Sequence, residues 1–203
     1  MAGAGYTLLS NANSPFSRKA RIAIGLLGLG TGVTVEAVDT VNPSPDFLAR
    51  VPLGKIPALL TPEGGAIFDS RVILAFLDGL AGGGRIVPPD PADAIRAETL
   101  QALADGIMDA AVLGVYEGRF RQENERSTSW VARQMDKVRR ALDALEADLP
   151  ADRTSVGEIS LACALGYLDL RFGGLWRADH PGLVAWLDRF AAAVPAFAET
   201  APG

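Results

Sequence analysis

The sequence of 203 residues is long enough for one large domain or two small ones. Hydrophobic residues make up 49% and charged residues 21%, which predicts a folded chain with a sizeable core rather than a disordered one. With Cys163 as the single cysteine and His180 as the single histidine, a disulfide scaffold, a zinc finger and a CxxC redox pair are excluded. We therefore expect no metal site, and catalysis would have to use hydroxyls, carboxylates, backbone groups or a bound ligand.

The net charge of −5 disfavours nucleic acid as a partner. Residues 1–85 carry 7 of the 19 basic and 6 of the 24 acidic side chains, so the acidic excess lies in residues 86–203. The first part of the chain could therefore bind an anion more readily than the second. No run of about 18 apolar residues predicts a membrane span, and no basic segment before an apolar stretch predicts export. The expected location is the cytoplasm.

The first half of the chain alternates between strand-like and helix-like segments. Residues 6–9 and 33–38 are β-prone, and a helix is predicted between them. Ser14 and Pro15 are typical of an N-cap and a first helical position, and Gly28 marks the predicted end of that helix. Two strands joined by a helix predict a βαβ unit with a parallel sheet.

A hairpin and a second helix follow a proline-bearing loop. Strands are predicted at 56–60 and 66–68, with a Gly-Gly turn between them. Asp69 and Ser70 are expected to cap a helix that runs from residue 71 to about 80. The order βαβ-ββα is then complete by residue 81.

The remaining chain is predicted to be all-helical. The segment 84–92 is rich in Gly and Pro and predicts a linker between an α/β domain at 1–83 and an all-α domain at 93–203. Ser155 and Glu158 fit a capping box ahead of an apolar helix. The helix over 92–120 is expected to present one apolar face, made of Leu100, Leu103, Ile107, Ala111 and Val115.

Five short motifs occur in order along the chain. They are SPFSRKARIA at Ser14, PLGKIPAL at Pro52, FDSRVI at Phe68, TSVGE at Thr154 and HPGLVAW at His180. Together they resemble the cytosolic glutathione S-transferase family, as a bacterial, serine-type member with an Asp-Ser turn. The resemblance implies a thioredoxin-like domain followed by an all-α domain, glutathione as co-substrate with no further cofactor, and a homodimer.

The resemblance makes Ser14 the candidate catalytic residue. A hydroxyl that donates to the glutathione sulfur, beside the positive end of a helix, favours the thiolate form of the thiol. The alternative is that Ser14 only caps the helix, and we expect the two roles to compete in part, because one hydroxyl has one proton to donate. Asn11 and Asn13 are alternative donors to the sulfur, unless they only form the turn.

The remaining glutathione-binding residues follow from the same resemblance. The Ile56-Pro57 bond is expected to be cis, which presents the Ile56 backbone to the tripeptide as a strand-like partner. Asp69 would bind the ligand's ammonium group and Ser70 its carboxylate. Lys55 would supply charge toward a carboxylate, unless it is simply a solvated side chain.

Candidates for holding a hydrophobic electrophile are Phe16, Tyr116, Arg119 and Phe120, with ordinary core and surface positions as the alternative. The implied activity is addition of the glutathione thiolate to that electrophile. Glutathione-dependent isomerisation, dehalogenation, and a non-catalytic binding or interaction protein are the alternatives that the residues leave open. Cys163 and His180 are expected to be structural.

Overall fold

The computed structural model describes residues 5–202, which form two compact units. Chain up to Ala94 and the segment from Val194 onward belong to the first unit, and Ile95–Ala193 form the second. The sequence predicts an all-α domain at 93–203 after a Gly- and Pro-rich linker, and in the structure the segment from Val194 onward belongs to the first unit.

The first unit is built on a four-stranded mixed sheet with the strand order β2-β1-β3-β4. Its strands are β1 (Tyr6–Ser10), β2 (Val33–Ala37), β3 (Ala58–Leu60) and β4 (Ala66–Ile67). β1 is parallel to β2 and antiparallel to β3, which in turn pairs antiparallel with β4. β3 begins two residues later than predicted, after Pro57, which has no N–H to donate to a neighbouring strand.

Three helices accompany this sheet: α1 (Pro15–Leu27), α2 (Pro45–Arg50) and α3 (Ser70–Leu80). α1 begins where the sequence predicts, because the Ser14 side chain accepts a hydrogen bond from the Ser17 backbone N–H at 3.2 Å. It ends at Gly28, whose φ of 70° is a left-handed conformation that glycine adopts without a Cβ clash. The predicted βαβ-ββα order, and with it the thioredoxin-like architecture of the first unit, is confirmed.

The second unit is helical, as predicted. The helices after the linker are α4 (Pro91–Phe120), α5 (Thr128–Ala147), α6 (Val156–Phe172), α7 (Pro181–Ala193) and α8 (Pro195–Glu199), with 3₁₀ turns at Glu123–Glu125 and Leu175–Arg177. Of these, α8 belongs to the first unit.

The capping box ahead of α6 forms as the sequence indicates. The Glu158 carboxylate accepts from the Ser155 backbone N–H at 3.0 Å and from the Ser155 hydroxyl, and the Ser155 oxygen accepts from the Gly157 N–H at 3.2 Å. A Cβ on Gly157 would lie 2.7 Å from the Ala97 carbonyl oxygen, so the close approach of α4 and α6 requires glycine there. The TSVGE motif thus serves both helix capping and helix packing.

The C-terminal segment packs on α1 through specific contacts. The Arg18 guanidinium lies 4.0 Å from the Phe197 ring centroid and donates to the Phe197 carbonyl oxygen at 2.6 Å. A Cβ on Gly25 would come within 2.9 Å of the Ala196 Cβ, so α8 sits directly against α1 at this glycine. Pro195 separates α8 from α7, because a proline disfavours helical geometry at the residue before it, here Val194.

The single cysteine and the single histidine are both buried in the second unit. Cys163 lies inside α6. The His180 ring contacts the Trp176 carbonyl oxygen through Nδ1 at 2.7 Å and the Asp143 carboxylate through Nε2 at 3.1 Å, which ties the start of α7 to its neighbours. Both residues therefore have structural positions.

Within residues 5–202, none of the helices combines the length and the apolar composition needed to cross a membrane. Over the same range, no group of three or more His, Cys, Asp or Glu side chains is arranged to hold a metal ion.

Candidate functional site

The register of the sheet brings three loops to one edge. Leu9, near the end of β1, pairs with Ala58 at the start of the antiparallel β3. Leu59 in turn pairs with Ile67 at the end of β4. Because antiparallel strands place the end of one beside the start of the next, the loops that follow Ser10, precede Ala58 and follow Ile67 lie at the same edge. These loops carry the glutathione-binding residues that the sequence motifs indicate.

The loop after β1 folds as an Asx turn that leads into α1. The Asn11 side-chain oxygen accepts from the Asn13 backbone N–H at 2.9 Å, and the Asn11 carbonyl oxygen accepts from the Ser14 N–H at 3.0 Å. The Asn11 side chain is therefore used in forming the turn. Ser14 is half-buried at the point where the helix begins.

The Ser14 hydroxyl caps α1 through its oxygen. It accepts the Ser17 N–H, a bond that uses a lone pair and leaves the hydroxyl proton available for an acceptor outside the helix. The expected competition between capping and donation to sulfur is therefore wrong, because the two roles use different parts of the hydroxyl group. The partial positive charge at the helix N-terminus lies at the same place.

The loop before β3 contains the Ile56-Pro57 bond, which is cis as the family resemblance implied. Pro57 is buried, Ile56 is half-buried and the side chain of Lys55 is exposed. The exposed Lys55 therefore gives this loop a positive charge next to the half-buried Ile56.

The loop after β4 leads into α3 through Asp69 and Ser70. The exposed Asp69 caps the helix, since its carboxylate accepts from the Arg71 backbone N–H at 3.0 Å. Ser70 is buried, and its hydroxyl oxygen accepts from the ammonium group of Lys19 at 3.1 Å. Lys19 belongs to α1 and is 0% exposed, so its side-chain nitrogen is buried in contact with Ser70.

Sequence reasoning missed this role of Lys19. The signal was available, because Lys19, Ala23 and Leu27 are spaced by four residues and share the buried face of α1. A lysine on an apolar stripe predicts a buried polar partner.

The candidate electrophile-binding residues of the second unit lie at the C-terminal end of α4. Tyr116 is 40% exposed and Phe120 is 56% exposed, and their rings meet edge to face with centroids 4.9 Å apart. The Arg119 guanidinium lies 6.0 Å from the Tyr116 ring centroid. Phe16, the fourth candidate, is half-buried in the first turn of α1, in the first unit.

Tyr167 and Arg171 on α6 are two further residues of this region that the sequence did not single out. The Arg171 guanidinium lies 5.7 Å from the Tyr167 ring. Burial raises the pKa of the Tyr167 phenol, and the charges of Arg171 and Arg119 lower it by less. The phenol is therefore a hydroxyl donor at neutral pH.

Comparison with known protein families identifies both halves of the chain. Residues 13–80 match the glutathione S-transferase N-terminal domain, and residues 128–189 match the glutathione S-transferase C-terminal domain. An uncharacterized GST-like protein of Escherichia coli K12, YibF, is 34% identical over 96% of this chain and 98% of its own length.

Solved structures show the same similarity. A glutathione transferase family member from Pseudomonas fluorescens Pf-5, crystallised with bound glutathione, is 41% identical and superposes with a TM-score of 0.92 over 98% of this chain and 99% of its own. A Pf-5 structure with bound S-(propanoic acid)-glutathione is 42% identical, with a TM-score of 0.86 over 98% of this chain and 100% of that one. The chain therefore belongs to the glutathione S-transferase family.

Proposed function

We propose that this protein is a glutathione transferase in which Ser14 stabilises the glutathione thiolate for attack on a hydrophobic electrophile. The observation that carries the proposal is the Ser14 hydroxyl, which caps α1 through its oxygen and so retains its proton at the positive end of that helix. A hydrogen bond from that hydroxyl to a bound sulfur would favour the thiolate form of the sulfur.

The tripeptide would lie along the sheet edge that carries the three loops. The Ile56 backbone would pair with it in an antiparallel manner, next to the cis Pro57. Asp69 would bind the ammonium group of the ligand, and Lys55 would approach one of its carboxylates. The Pf-5 family member with bound glutathione supports this ligand.

Ser70 and Lys19 would bind the other carboxylate as a unit. Because the Ser70 oxygen accepts from the Lys19 ammonium, its hydroxyl hydrogen is directed elsewhere and can be donated to a ligand. The N-terminus of α3 favours an anion at this position.

The chemistry needs only the ligand's own sulfur. A free thiol has a pKa of about 8.5, so only a few per cent is ionised at neutral pH. Each unit by which the protein lowers this pKa corresponds to about 1.4 kcal/mol of preferential thiolate stabilisation. The thiol proton leaves to solvent and the thiolate forms a carbon–sulfur bond. In a substitution the bonding pair departs with the leaving group, and in an addition the π pair moves to the neighbouring carbon, which takes a proton from water.

The candidates for contact with the electrophile are Tyr116 and Phe120, with Arg119 beside them in the second unit. Phe16 of the first unit is a further candidate. The family resemblance also supports a homodimer that works in the cytoplasm. Size-exclusion chromatography with light scattering tests the assembly, since a monomeric mass at micromolar concentration would contradict the dimer.

A titration of the bound thiol tests the role of Ser14. We expect ultraviolet thiolate absorbance to show a pKa lowered from about 8.5 when glutathione binds the wild type, and a pKa near 8.5 in Ser14→Ala. Ser17→Ala is the matched control, because Ser17 lies in the same helical turn and its buried hydroxyl has no hydrogen-bond partner among residues 5–202. Ser14→Thr should restore the lowered pKa.

Two results would contradict the proposal in different ways. If the thiol pKa of glutathione did not change on binding to the wild type, the role of Ser14 would be refuted, but glutathione binding would not. Absence of glutathione binding would remove the transferase function and favour an interaction protein with the same fold.

A further inference from the structure

Helix α1 carries three basic side chains and no acidic one. They are Arg18, Lys19 and Arg21. The first two are buried and donate to groups outside the helix, as described above. Arg21 is half-buried, and its Nη2 donates to the carbonyl oxygen of Ala12 at 3.1 Å. Because Ala12 lies between β1 and Ser14, this guanidinium contacts the loop that leads directly into Ser14.

The spacing of Ser14 and Arg21 explains how the side chain reaches this loop. Seven residues separate them, which is close to two turns of helix, so both lie on the same side of α1. Side chains on a helix lean toward its N-terminus, and the long Arg21 side chain therefore runs back along the helix. Two residues of chain, from Ala12 to Ser14, span at most about 7 Å. The guanidinium charge thus lies about 10 Å or less from the Ser14 backbone.

The loop is bound through both polar groups of one peptide. The peptide between Ala12 and Asn13 donates its N–H to the Asn11 side-chain oxygen at 2.9 Å, and its carbonyl oxygen accepts from Arg21. This peptide cannot rotate without breaking one of these hydrogen bonds. The loop therefore offers the guanidinium a fixed acceptor, and the positive charge is held at one place beside the start of α1.

Further charges surround this position. The loops at the same sheet edge carry Lys55 and Asp69, which have opposite signs, and the helices that pack on α1 carry Arg71, Asp78 and Glu199. All of these charges stay in place when only the Arg21 side chain is changed, so they cancel in a comparison of variants. A guanidinium is charged at every pH at which proteins are folded, and it adds to the partial positive charge of the α1 N-terminus.

We propose that Arg21 favours the thiolate of bound glutathione together with Ser14, without contacting the sulfur. This inference rests on the proposed transferase function and adds a residue to it. The Ser14 hydroxyl would donate to the sulfur, whereas Arg21, held on the Ala12 carbonyl oxygen, supplies a full positive charge from a distance. A negative sulfur is stabilised by that charge and a neutral thiol is not, so the equilibrium moves toward the thiolate.

Removal of the charge is expected to raise the pKa of the bound thiol by about 0.2–0.5 unit. This value follows from Coulomb's law at about 10 Å with an effective dielectric constant of about 40–80, since the contact is open to solvent. Ultraviolet thiolate absorbance, at saturating glutathione and about 10 mM ionic strength, measures the shift in Arg21→Met and Arg21→Gln. Arg21→Lys keeps the charge and should titrate closer to wild type than to Arg21→Met.

Arg85→Met is the matched control, because it removes the same charge from the other end of α1. The Arg85 guanidinium donates to the carbonyl oxygens of Leu26 and Leu27 at 2.9 and 3.0 Å. Leu26 lies about 18 Å from Ser14 along the helix axis, so the thiol pKa should shift by less than half as much as in Arg21→Met. Circular dichroism melting verifies that each variant is folded.

Salt separates an effect of charge from an effect of a loosened loop. Raising the ionic strength from about 10 mM to about 1 M shortens the screening length from about 30 Å to about 3 Å. The difference in thiol pKa between wild type and Arg21→Met should then nearly vanish. If Arg21 only held the loop in shape, the same difference would persist at high salt.

The outcomes separate this inference from the proposed function. Equally lowered thiol pKa values in wild type and Arg21→Met at low salt would overturn the role of Arg21 alone. An equal shift in Arg85→Met, or a shift that salt does not reduce, would do the same. If wild type did not lower the thiol pKa at all, the role of Ser14 would be overturned as well, and absence of glutathione binding would overturn the transferase function.

Discussion

Asp78 fixes the path of the chain as it leaves α3, and its replacement offers a direct measure of what that contact contributes. The side chain is buried, and its carboxylate accepts three backbone hydrogen bonds. One oxygen accepts the Gly84 N–H at 2.8 Å, and the other accepts the N–H groups of Arg85 and Ile86 at 3.0 and 2.8 Å. A single residue thereby anchors the start of the segment that the sequence marks as a linker.

The cost of Asp78→Ala follows from the burial of each donor. Ile86 is buried, so its N–H would lose a charged acceptor that water does not replace, at about 1.5–3 kcal/mol. Gly84 and Arg85 are exposed, so water can hydrate their N–H groups and each loss costs about 0.5–1 kcal/mol. We therefore expect the free energy of unfolding to fall by about 2.5–5 kcal/mol, measured by urea denaturation.

Two further variants test whether the loss of stability depends on burial or on the number of hydrogen bonds that the carboxylate accepts. Asp78→Asn can keep the two bonds made by one oxygen, so it should cost clearly less than Asp78→Ala. Asp39→Ala is the control, since the exposed Asp39 also accepts three hydrogen bonds, from the Val41 N–H and from the backbone and side chain of Asn42. If Asp39→Ala and Asp78→Ala destabilised the protein equally, the argument from burial would be refuted.

Two further predictions concern a buried lysine and an exposed carboxylate. Lys19→Met removes the side-chain nitrogen that donates to Ser70, and we expect the affinity for glutathione, measured by calorimetry, to fall about tenfold. Lys137→Met, which changes a lysine of the second unit, is the control and should bind glutathione as wild type does. Equal affinities of wild type and Lys19→Met would count against a role of Lys19 in binding. The pKa of Asp39 lies below its ordinary value of 3.8, chiefly because its carboxylate accepts from the Val41 N–H. The Asp39 carboxylate therefore stabilises the fold above pH 3.8, and this stabilisation is lost as the pH falls through the lowered pKa. A carbon-13 NMR titration that placed the Asp39 carboxyl at or above 3.8 would contradict this.

The parts of the fold that the sequence predicted well depend on local sequence signals, such as helix caps. Ser14, Pro15 and Gly28 bound α1 as expected, because caps and left-handed glycines act within one turn of the helix end. The capping box of Ser155 and Glu158 is equally local. The thioredoxin-like order of strands and helices follows from such boundaries together with the preference for right-handed crossovers.

Features that depend on distant packing were not predictable in the same way. Leu103 was expected on the buried face of α4, but it is exposed, whereas Gln101 and Ala104 are buried. Small residues let helices approach closely, so the buried face is decided by the neighbouring helix rather than by hydrophobicity alone. The burial of Tyr167 on α6 was not predictable for the same reason, because it depends on the helices that pack around α6.

The packing of α8 on α1 has a consequence for the order of events during synthesis. Arg18 contacts Phe197, which is translated 179 residues later, and Gly25 contacts Ala196, which follows at a similar separation. The first unit can form its sheet early, but one side of α1 stays uncovered until the entire second unit has been translated. Completion of the first unit is thus coupled to translation of the second one, and a ribosome that stalls before residue 194 would release a first unit with an exposed helix face.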